Sequence, residues 1–343
     1  MSTCKVNEDT LKNILNKILG ISVVHADYQT KQLQGGTVGD VQLITGTAKS
    51  ADGTAQPYNV VLKIQKKWER HADPGSWRRE YDLYKSDLGI AFSSTLRWPE
   101  CYHLEMNDKE DEFQLWLEYI DGVTGSDLTV DMLEKVAEVW GRFQGKLFAE
   151  HSSILKNFAN LSGTDYLKNF YRHYRGWDVV YNYIRSDDCQ IPKHLCQMII
   201  DLDNNSDEIF SRIENLPIVF CHRDLWVTNI FYSDGKIALI DWDTTGWGYL
   251  GEDIASLIAD ELDVDDMVEC YHKCIPAYYR GFSEYVDVAH ISDHCIYEII
   301  LAMYAYREVE WFLYDEEPGG KELHLATLQK MYEMKASDAD GGS

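Results

Sequence analysis

The chain has 343 residues, 45% of them hydrophobic, enough to bury a full core and long enough to favour two packed lobes over one small module. Its 57 acidic residues against 32 basic ones give a formal charge of -25. That charge repels nucleic-acid phosphates and anionic membranes, keeps the chain soluble, and leaves small cationic molecules as attractive partners. Eight cysteines, at Cys4, Cys101, Cys189, Cys196, Cys221, Cys270, Cys274 and Cys295, form no CxxC knuckle and no zinc spacing, and scattered free thiols predict a reducing cytoplasm. The opening MSTCKVNEDT lacks the basic and apolar stretches of a secretory signal. The apolar run Cys295 to Tyr306 is short and holds Glu298, so no membrane span is expected.

In chain order, Leu11, Ile14, Leu15, Ile18 and Leu19 recur at helical spacing before Gly20, which suits a helix C-cap. Tyr28 to Gln34, Val41 to Ala48 and Tyr58 to Gln65 then read as an antiparallel meander separated by glycine-rich turns. Trp77, Tyr81, Tyr84 and Leu88 share one helical face, and Glu100 to Met106 and Glu112 to Tyr119 flank the polar turn Asn107 to Asp111 as a hairpin. From there helical periodicity takes over: Leu133 to Leu147, Tyr166 to Arg185 and Leu195 to Ile213. One short β passage interrupts the helices, with apolar runs Ile218 to Cys221 and Lys236 to Ile240. Further helices are expected at Gly251 to Ala259, Asp265 to Tyr285, Asp293 to Tyr314 and Leu323 to Met334. The fold class is therefore α+β, with a β-rich first lobe over residues 1–118, a mainly helical second lobe over 119–335, and a disordered tail over 336–343.

The chemistry-bearing segments follow the two apolar runs of the β passage. Cys221 to Asn229 reads CHRDLWVTN and Ile240 to Asp243 reads IDWD, each placed where a strand can present side chains on a loop. Phosphoryl transfer needs a carboxylate to orient the attacking hydroxyl and oxygen ligands for the magnesium that bridges the phosphates. Asp224 can serve as the first, and Asn229 and Asp241 as the second. Aspartate and asparagine also serve as turn and cap residues in ordinary α/β chains, but two motifs in this order, each after a strand, favour the chemical reading.

HRDxxxxN followed by IDWD resembles the catalytic and metal-binding loops of the aminoglycoside phosphotransferase and choline kinase superfamily, related in fold to protein kinases. The resemblance implies a two-lobed kinase-like fold. It makes Asp224 the catalytic aspartate, Asn229 and Asp241 the Mg2+ ligands, and His222 a residue that orients the loop. Asp243 stands where many members carry a second acidic residue, in an auxiliary metal or water role. Upstream, Lys63 in NVVLKIQ resembles the lysine that anchors nucleotide phosphates, and Glu80 in WRREYDLY resembles its ion-pair mate. Gly35, Gly36 and Gly39 in QGGTVGD could admit phosphates to backbone amides, though a plain hairpin turn would look the same. By position, LEYID resembles the connector that offers main-chain groups of Glu118 and Ile120 to adenine, with Tyr119 packing on the base.

DWD in place of DFG, with only TTGWGYL before the next helix, leaves out the activation segment of a protein kinase. The implied enzyme is a small-molecule kinase that uses ATP or GTP and phosphorylates a hydroxyl. Asp260, Glu261, Asp263, Glu308 and Trp311 are candidates for the acceptor pocket, against the alternative of a solvated acidic surface. An aminoglycoside-like amine is the preferred acceptor. Choline, ethanolamine, another amino alcohol or a sugar are alternatives, and an aromatic box from residues such as Tyr304 and Trp311 would suit a quaternary ammonium. A catalytically idle binding module is the alternative of another class; it predicts loss of an essential group, whereas Lys63, Glu80, Asp224, Asn229 and Asp241 are all present.

Overall fold

A computed structural model describes residues 6–33, 39–70, 73–150, 160–175, 178–289, 291 and 294–340. The chain divides into two compact units, Met1–Gly89 with Trp98–Asp121, and Ile90–Arg97 with Gly122–Ser343.

The first unit is built on an antiparallel sheet of strands β1 (Val23–Gln32), β2 (Gly39–Ser50), β3 (Ala55–Lys66), β5 (Cys101–Met106) and β6 (Glu112–Glu118), in the order β1-β2-β3-β6-β5. Helix α1 (Glu8–Leu19) starts at Asn7, whose side chain accepts from the Asp9 and Thr10 amides, and ends at Gly20 with φ 65, the left-handed cap expected there. Strand alternation decides which side chains meet which helix. Val60, Leu62 and Ile64 of β3 join Trp116 and the α1 residues Leu11, Ile14 and Leu15 in one core. The intervening Val61 packs with Phe113, Leu115 and Leu117 of β6 against Trp77 and Tyr81 of helix α2 (Ser76–Tyr84). Lys63 alternates onto this second face, opposite Leu115.

Residues 90–97, expected with the first lobe, belong to the second unit because β4 (Leu96–Arg97) pairs in parallel with β9 (Lys236–Leu239). The boundary falls at Asp121 rather than after residue 118. Gly122 already packs on strand β8 (Ile230–Ser233), where a side chain would meet the Tyr232 carbonyl at 2.9 Å. The second unit is organised by helix α3 (Val130–Glu150) and several later helices: α4 (Tyr166–Arg175), α5 (Asp178–Ile184), α6 (Lys193–Asn204), α7 (Ser206–Ile213), α8 (Glu252–Ala259) and α9 (Met267–Phe282). Three more follow, α10 (His294–Ile300), a π-helical turn Leu301–Ala305 leading into α11 (Tyr306–Tyr314), and α12 (Gly320–Asp340). Glycines let α3 and α9 approach closely: a Cβ on Gly281 would lie 2.0 Å from the Glu138 carbonyl oxygen, and one on Gly141 would lie 2.2 Å from that of Tyr278.

Of the two expected helical stretches, the one over 195–213 is interrupted at Asn205 between α6 and α7, and the one over 166–185 is helical at Tyr166–Arg175 and Asp178–Ile184, with residues 176 and 177 outside the described residues. Residues 336–340, expected in a disordered tail, continue the backbone of α12; no glycine or proline stops the helix before Gly341. Small sheets present the loops. Strand β7 (Ile218–Cys221) pairs with β10 (Gly246–Tyr249), and β4-β9-β8 form a three-stranded sheet. Among the described residues no helix is long and apolar enough to cross a membrane.

Candidate active site

In the first unit, Lys63 Nζ lies 2.6 Å from Glu80 Oε2, and both side chains are largely buried. The sheet register explains the pairing. Lys63 stands on the α2 face of β3, and Glu80 is a buried position of α2 beside Trp77 and Tyr81. A buried carboxylate fixes a four-carbon stem that would otherwise be mobile. Gly39 opens β2 alongside: a Cβ there would lie 2.8 Å from the Gln65 side-chain oxygen and 3.8 Å from Lys63 Cε. Gly35 and Gly36 lie outside the described residues. In the connector, the Glu118 amide donates to the Glu100 carbonyl at 2.9 Å, so this amide is committed within the sheet. Tyr119 is 38% exposed and Ile120 is buried.

In the second unit, β7 leads straight into His222. The His222 ring is buried against Trp242 at 4.5 Å and Trp140 at 6.4 Å between centroids. Burial pushes its pKa down to about 4, outweighing the Asp241 charge, so the ring is neutral and acts as packing that supports the loop. Arg223 follows in the left-handed region at φ 64, a conformation that L-residues adopt only when the surroundings hold it. Its guanidinium supplies that hold: it donates to Ser162 Oγ and to the carbonyls of Gly163 and Trp247, lies 3.4 Å from Glu252, and stacks over Tyr166 at 4.4 Å.

The sharp turn at Arg223 aims Asp224 away from the strand. Asn229 donates its side-chain amide to Asp224 Oδ2 at 2.7 Å and to the Asp224 carbonyl at 2.9 Å. These bonds use the nitrogen of Asn229 and leave its amide oxygen as the end suited to a cation. Burial, with the neighbouring charge of Asp241 and smaller effects of Asp260 and Asp243, raises the Asp224 pKa to about 7 against the pull of Asn229. Asp241 is itself left-handed at φ 63, at the end of β9.

The carboxylate pressure on Asp224, joined to an amide oxygen and one or two Asp side chains, fits a hard divalent cation. Magnesium takes few protein ligands and keeps water and phosphate oxygens for the rest. Among the described residues no group of three or more His, Cys, Asp and Glu side chains is arranged to hold a metal.

Asp253, read in the sequence only as part of a helix start, is the anchor of this loop. It is buried, and it accepts the backbone amides of His222 at 3.0 Å and Arg223 at 2.7 Å, Trp140 Nε1 at 3.0 Å and Gln144 Nε2 at 3.1 Å. The two backbone amides are those of the turn that presents Asp224. A buried acid at a helix start is also a plain N-terminal dipole partner, so the sequence offered no signal for this role.

The expected acceptor residues separate. Asp260 pairs with Arg307 at 2.7 Å and contributes to the field on Asp224. Glu308 is buried and spent on His324 at 3.0 Å, with Arg307 at 3.6 Å. Trp311 covers the Arg307 guanidinium at 4.3 Å, and Tyr304 does so at 4.4 Å. The aromatic pair is thus occupied by the chain's own cation. Glu261, left-handed at φ 58 and exposed over part of its surface, has its pKa raised by partial desolvation of the carboxyl and by Asp260. Asp263 is exposed and accepts the Asp265 amide at 3.0 Å, a turn residue apart from the network around Arg307.

A lysine–glutamate pair on a five-stranded sheet, with the HRD and DWD loops between short strands of a helical unit, defines a kinase-like small-molecule phosphotransferase. The sequence model of the phosphotransferase enzyme family, APH, matches residues 61–281, and the chain belongs to that family. It is a phosphotransferase with a hydroxyl acceptor. No curated protein sequence matches the chain. Among solved structures, a choline kinase from Cryptosporidium parvum Iowa II is similar at 16% identity and a TM-score of 0.56, over 92% of this chain and 91% of that one. The GDP complex of wild-type aminoglycoside 2'-phosphotransferase-IIIa is similar at 12% identity and a TM-score of 0.56, over 97% of this chain and 100% of that one. An amicoumacin kinase in complex with AMP-PNP, Ca2+ and Ami is similar at 14% identity and a TM-score of 0.54, over 96% of each chain. At these identities the likenesses bear on the fold, which is kinase-like.

Proposed function

We propose that this chain is a magnesium-dependent kinase that transfers the terminal phosphoryl group of ATP or GTP to a hydroxyl of a small amine, an aminoglycoside-like polyhydroxylated acceptor being favoured. The observation that carries the reading is Asp224, held by Asn229 in the field of Asp241, Asp243 and Asp260. A group of neighbouring carboxylates supports both a metal and a cationic acceptor. That neighbours of the same fold were solved with GDP or AMP-PNP supports nucleotide as the donor.

Lys63, kept extended by Glu80, holds donor phosphates. Asn229 and Asp241 offer the oxygens for Mg2+, which when bound neutralises phosphate charge, and Asp243 assists. Asp224 orients the acceptor hydroxyl for in-line attack and takes its proton as the new O–P bond forms, so positioning and electrostatics supply most of the rate. His222 and Asp253 keep the loop in shape. Gly39 lies beside Lys63 and, with Gly35 and Gly36, is assigned to the phosphates, and Glu118, Tyr119 and Ile120 border the base. Asp260 and Glu261 receive the acceptor's ammonium groups. Glu308 and Trp311 serve indirectly, by fixing Arg307 and through it Asp260. A choline-type acceptor ranks lower because Tyr304 and Trp311 already enclose Arg307, which fills the slot a quaternary ammonium would need.

The test is magnesium-dependent release of ADP or GDP by the purified chain, with a panel of aminoglycosides, choline, ethanolamine, other amino alcohols and sugars. Acceptor-stimulated release that is lost in Asp224→Asn supports the assignment. Equal turnover by Asp224→Asn refutes the role given to that residue.

A further inference from the structure

Far along the sequence from the catalytic loop, the connection between α5 and α6 brings two thiols together. Cys189 Sγ lies 3.5 Å from Cys196 Sγ, and both cysteines are free. The backbone holds them there. The Cys189 amide donates to Ser186 O at 3.3 Å, the Gln190 amide donates to Tyr183 Oη at 3.0 Å, and Ile191 is buried. Pro192 then turns the chain into α6, and its carbonyl accepts the amides of Leu195 and Cys196 at 3.0 and 3.1 Å. Both ends of the thiol pair are thus fixed by hydrogen bonds before any chemistry. A disulfide of ~2.0 Å asks the two sulfurs to come about 1.5 Å closer.

We propose that Cys189 and Cys196 form a redox modification site, a dithiol that a small-molecule disulfide converts into an intramolecular bridge. The order of events follows from exposure. Cys189 is half-buried in an otherwise exposed stretch, whereas Cys196 is buried on the first turn of α6, and its pKa is pushed up to about 12 by burial and by Cys189. Cys189 therefore attacks first. Its thiolate displaces one thiol from the small disulfide to leave a mixed disulfide, and Cys196 then attacks the Cys189 sulfur, giving up its proton to water and expelling the second thiol. One disulfide is reduced to two thiols while one dithiol is oxidised, so atoms and electrons balance. Asp187 and Asp188 precede Cys189 and are exposed, which favours a cationic disulfide over an anionic one.

The bridge has a structural consequence. Residues His194, Gln197, Met198 and Asp201 of α6 line a groove of about 620 Å3, with Tyr297 and Tyr332 on other helices. A disulfide at Cys196 pins the first turn of that wall to the preceding loop. A second pair of thiols, Cys270 and Cys274 one turn apart on α9, is fully buried and serves as an internal control. It is closed to a reagent in solution.

The experiment treats the folded full chain with cystamine, quenches with an alkylating agent and maps the peptides. The expected result is loss of the mass of two hydrogens and a linked peptide joining Cys189 to Cys196. Cys196→Ala should stop at a single cysteamine adduct on Cys189, and Cys189→Ser should give neither product. Circular dichroism confirms that both variants are folded, and oxidised glutathione should react several-fold more slowly than cystamine. The proposal is overturned if wild type gains a stable adduct without closing the bridge, if linkage is found at Cys270 and Cys274 instead, or if Cys189 stays unmodified in the folded chain.

Discussion

Asp224 should destabilise the fold that carries it, and the effect can be calculated. Its pKa is raised from 3.8 to about 7, chiefly by burial and then by the Asp241 charge. A carboxyl whose folded pKa lies above its unfolded value contributes stability that is fully present below about pH 4 and is lost as pH rises through about 7. At about 1.4 kcal/mol per pH unit, the accumulated cost is about 2 kcal/mol at pH 5 and about 4 kcal/mol at pH 8. Asp224→Asn removes the charge, keeps the shape and still accepts from Asn229. The variant's stability advantage should therefore grow by about 2–3 kcal/mol between pH 5 and pH 8, a widening of the Tm difference by about 3 °C in a chain this long. The assay is paired thermal unfolding of wild type and variant at both pH values, without nucleotide or divalent metal and at constant ionic strength. A Tm difference that stays flat, or shrinks toward pH 8, would refute the electrostatic account. Added Mg2+ with nucleotide should stabilise wild type more than the variant at pH 8.

Further tests address the supports of the site. Asp253→Ala strands two backbone amides, an indole N–H and a side-chain amide in a buried place; urea unfolding should show a loss of about 3–5 kcal/mol, with turnover falling in the fraction that stays folded. Lys63→Met should cut kcat/KM for nucleotide by about 10²-fold or more, and Glu80→Gln by a smaller factor because the lysine stays but loses its hold; equal kcat/KM in all three proteins would remove the pair from the mechanism. Gly281→Ala should lower stability by about 2–3 kcal/mol, read in the same unfolding assay, because its Cβ would lie 2.0 Å from a helix carbonyl. Arg307→Met should raise KM for the acceptor more than it lowers kcat, since Asp260 loses the partner that positions it.

Much of this was legible because short-range rules governed it. The β3 alternation of Val60, Leu62 and Ile64 on one face predicts the strand, and its opposite face puts Lys63 toward α2. The HRD and DWD segments each follow an apolar run, so the strand ends that present them could be found by pattern. What escaped depended on distant partners. The two residues of β4 are too few to carry a period, and their strand exists only because β9 lies beside them. Strand β10 is GWGY, two glycines in four residues, and is a strand because β7 pairs with it. Glu308 and Asp260 look like free surface acids in the sequence, but Arg307 reaches back along the chain to pair with Asp260, and His324 of α12 pairs with Glu308.

Asp253 explains why these distant contacts matter to catalysis. Arg223 and Asp241 both take left-handed backbone, which costs on the order of 1–3 kcal/mol at each residue. For Arg223 the relief comes from elsewhere: its amide reaches the Asp253 carboxylate of α8, and its guanidinium reaches Ser162, Gly163, Trp247 and Glu252. Trp140 and Gln144 of α3 hold Asp253 in turn. The geometry at Asp224 is therefore set by helices whose sequences carry no catalytic motif. The same arrangement implies that substitutions on the buried faces of α3 and α8 will lower turnover as well as stability, while the HRD and DWD residues stay unchanged.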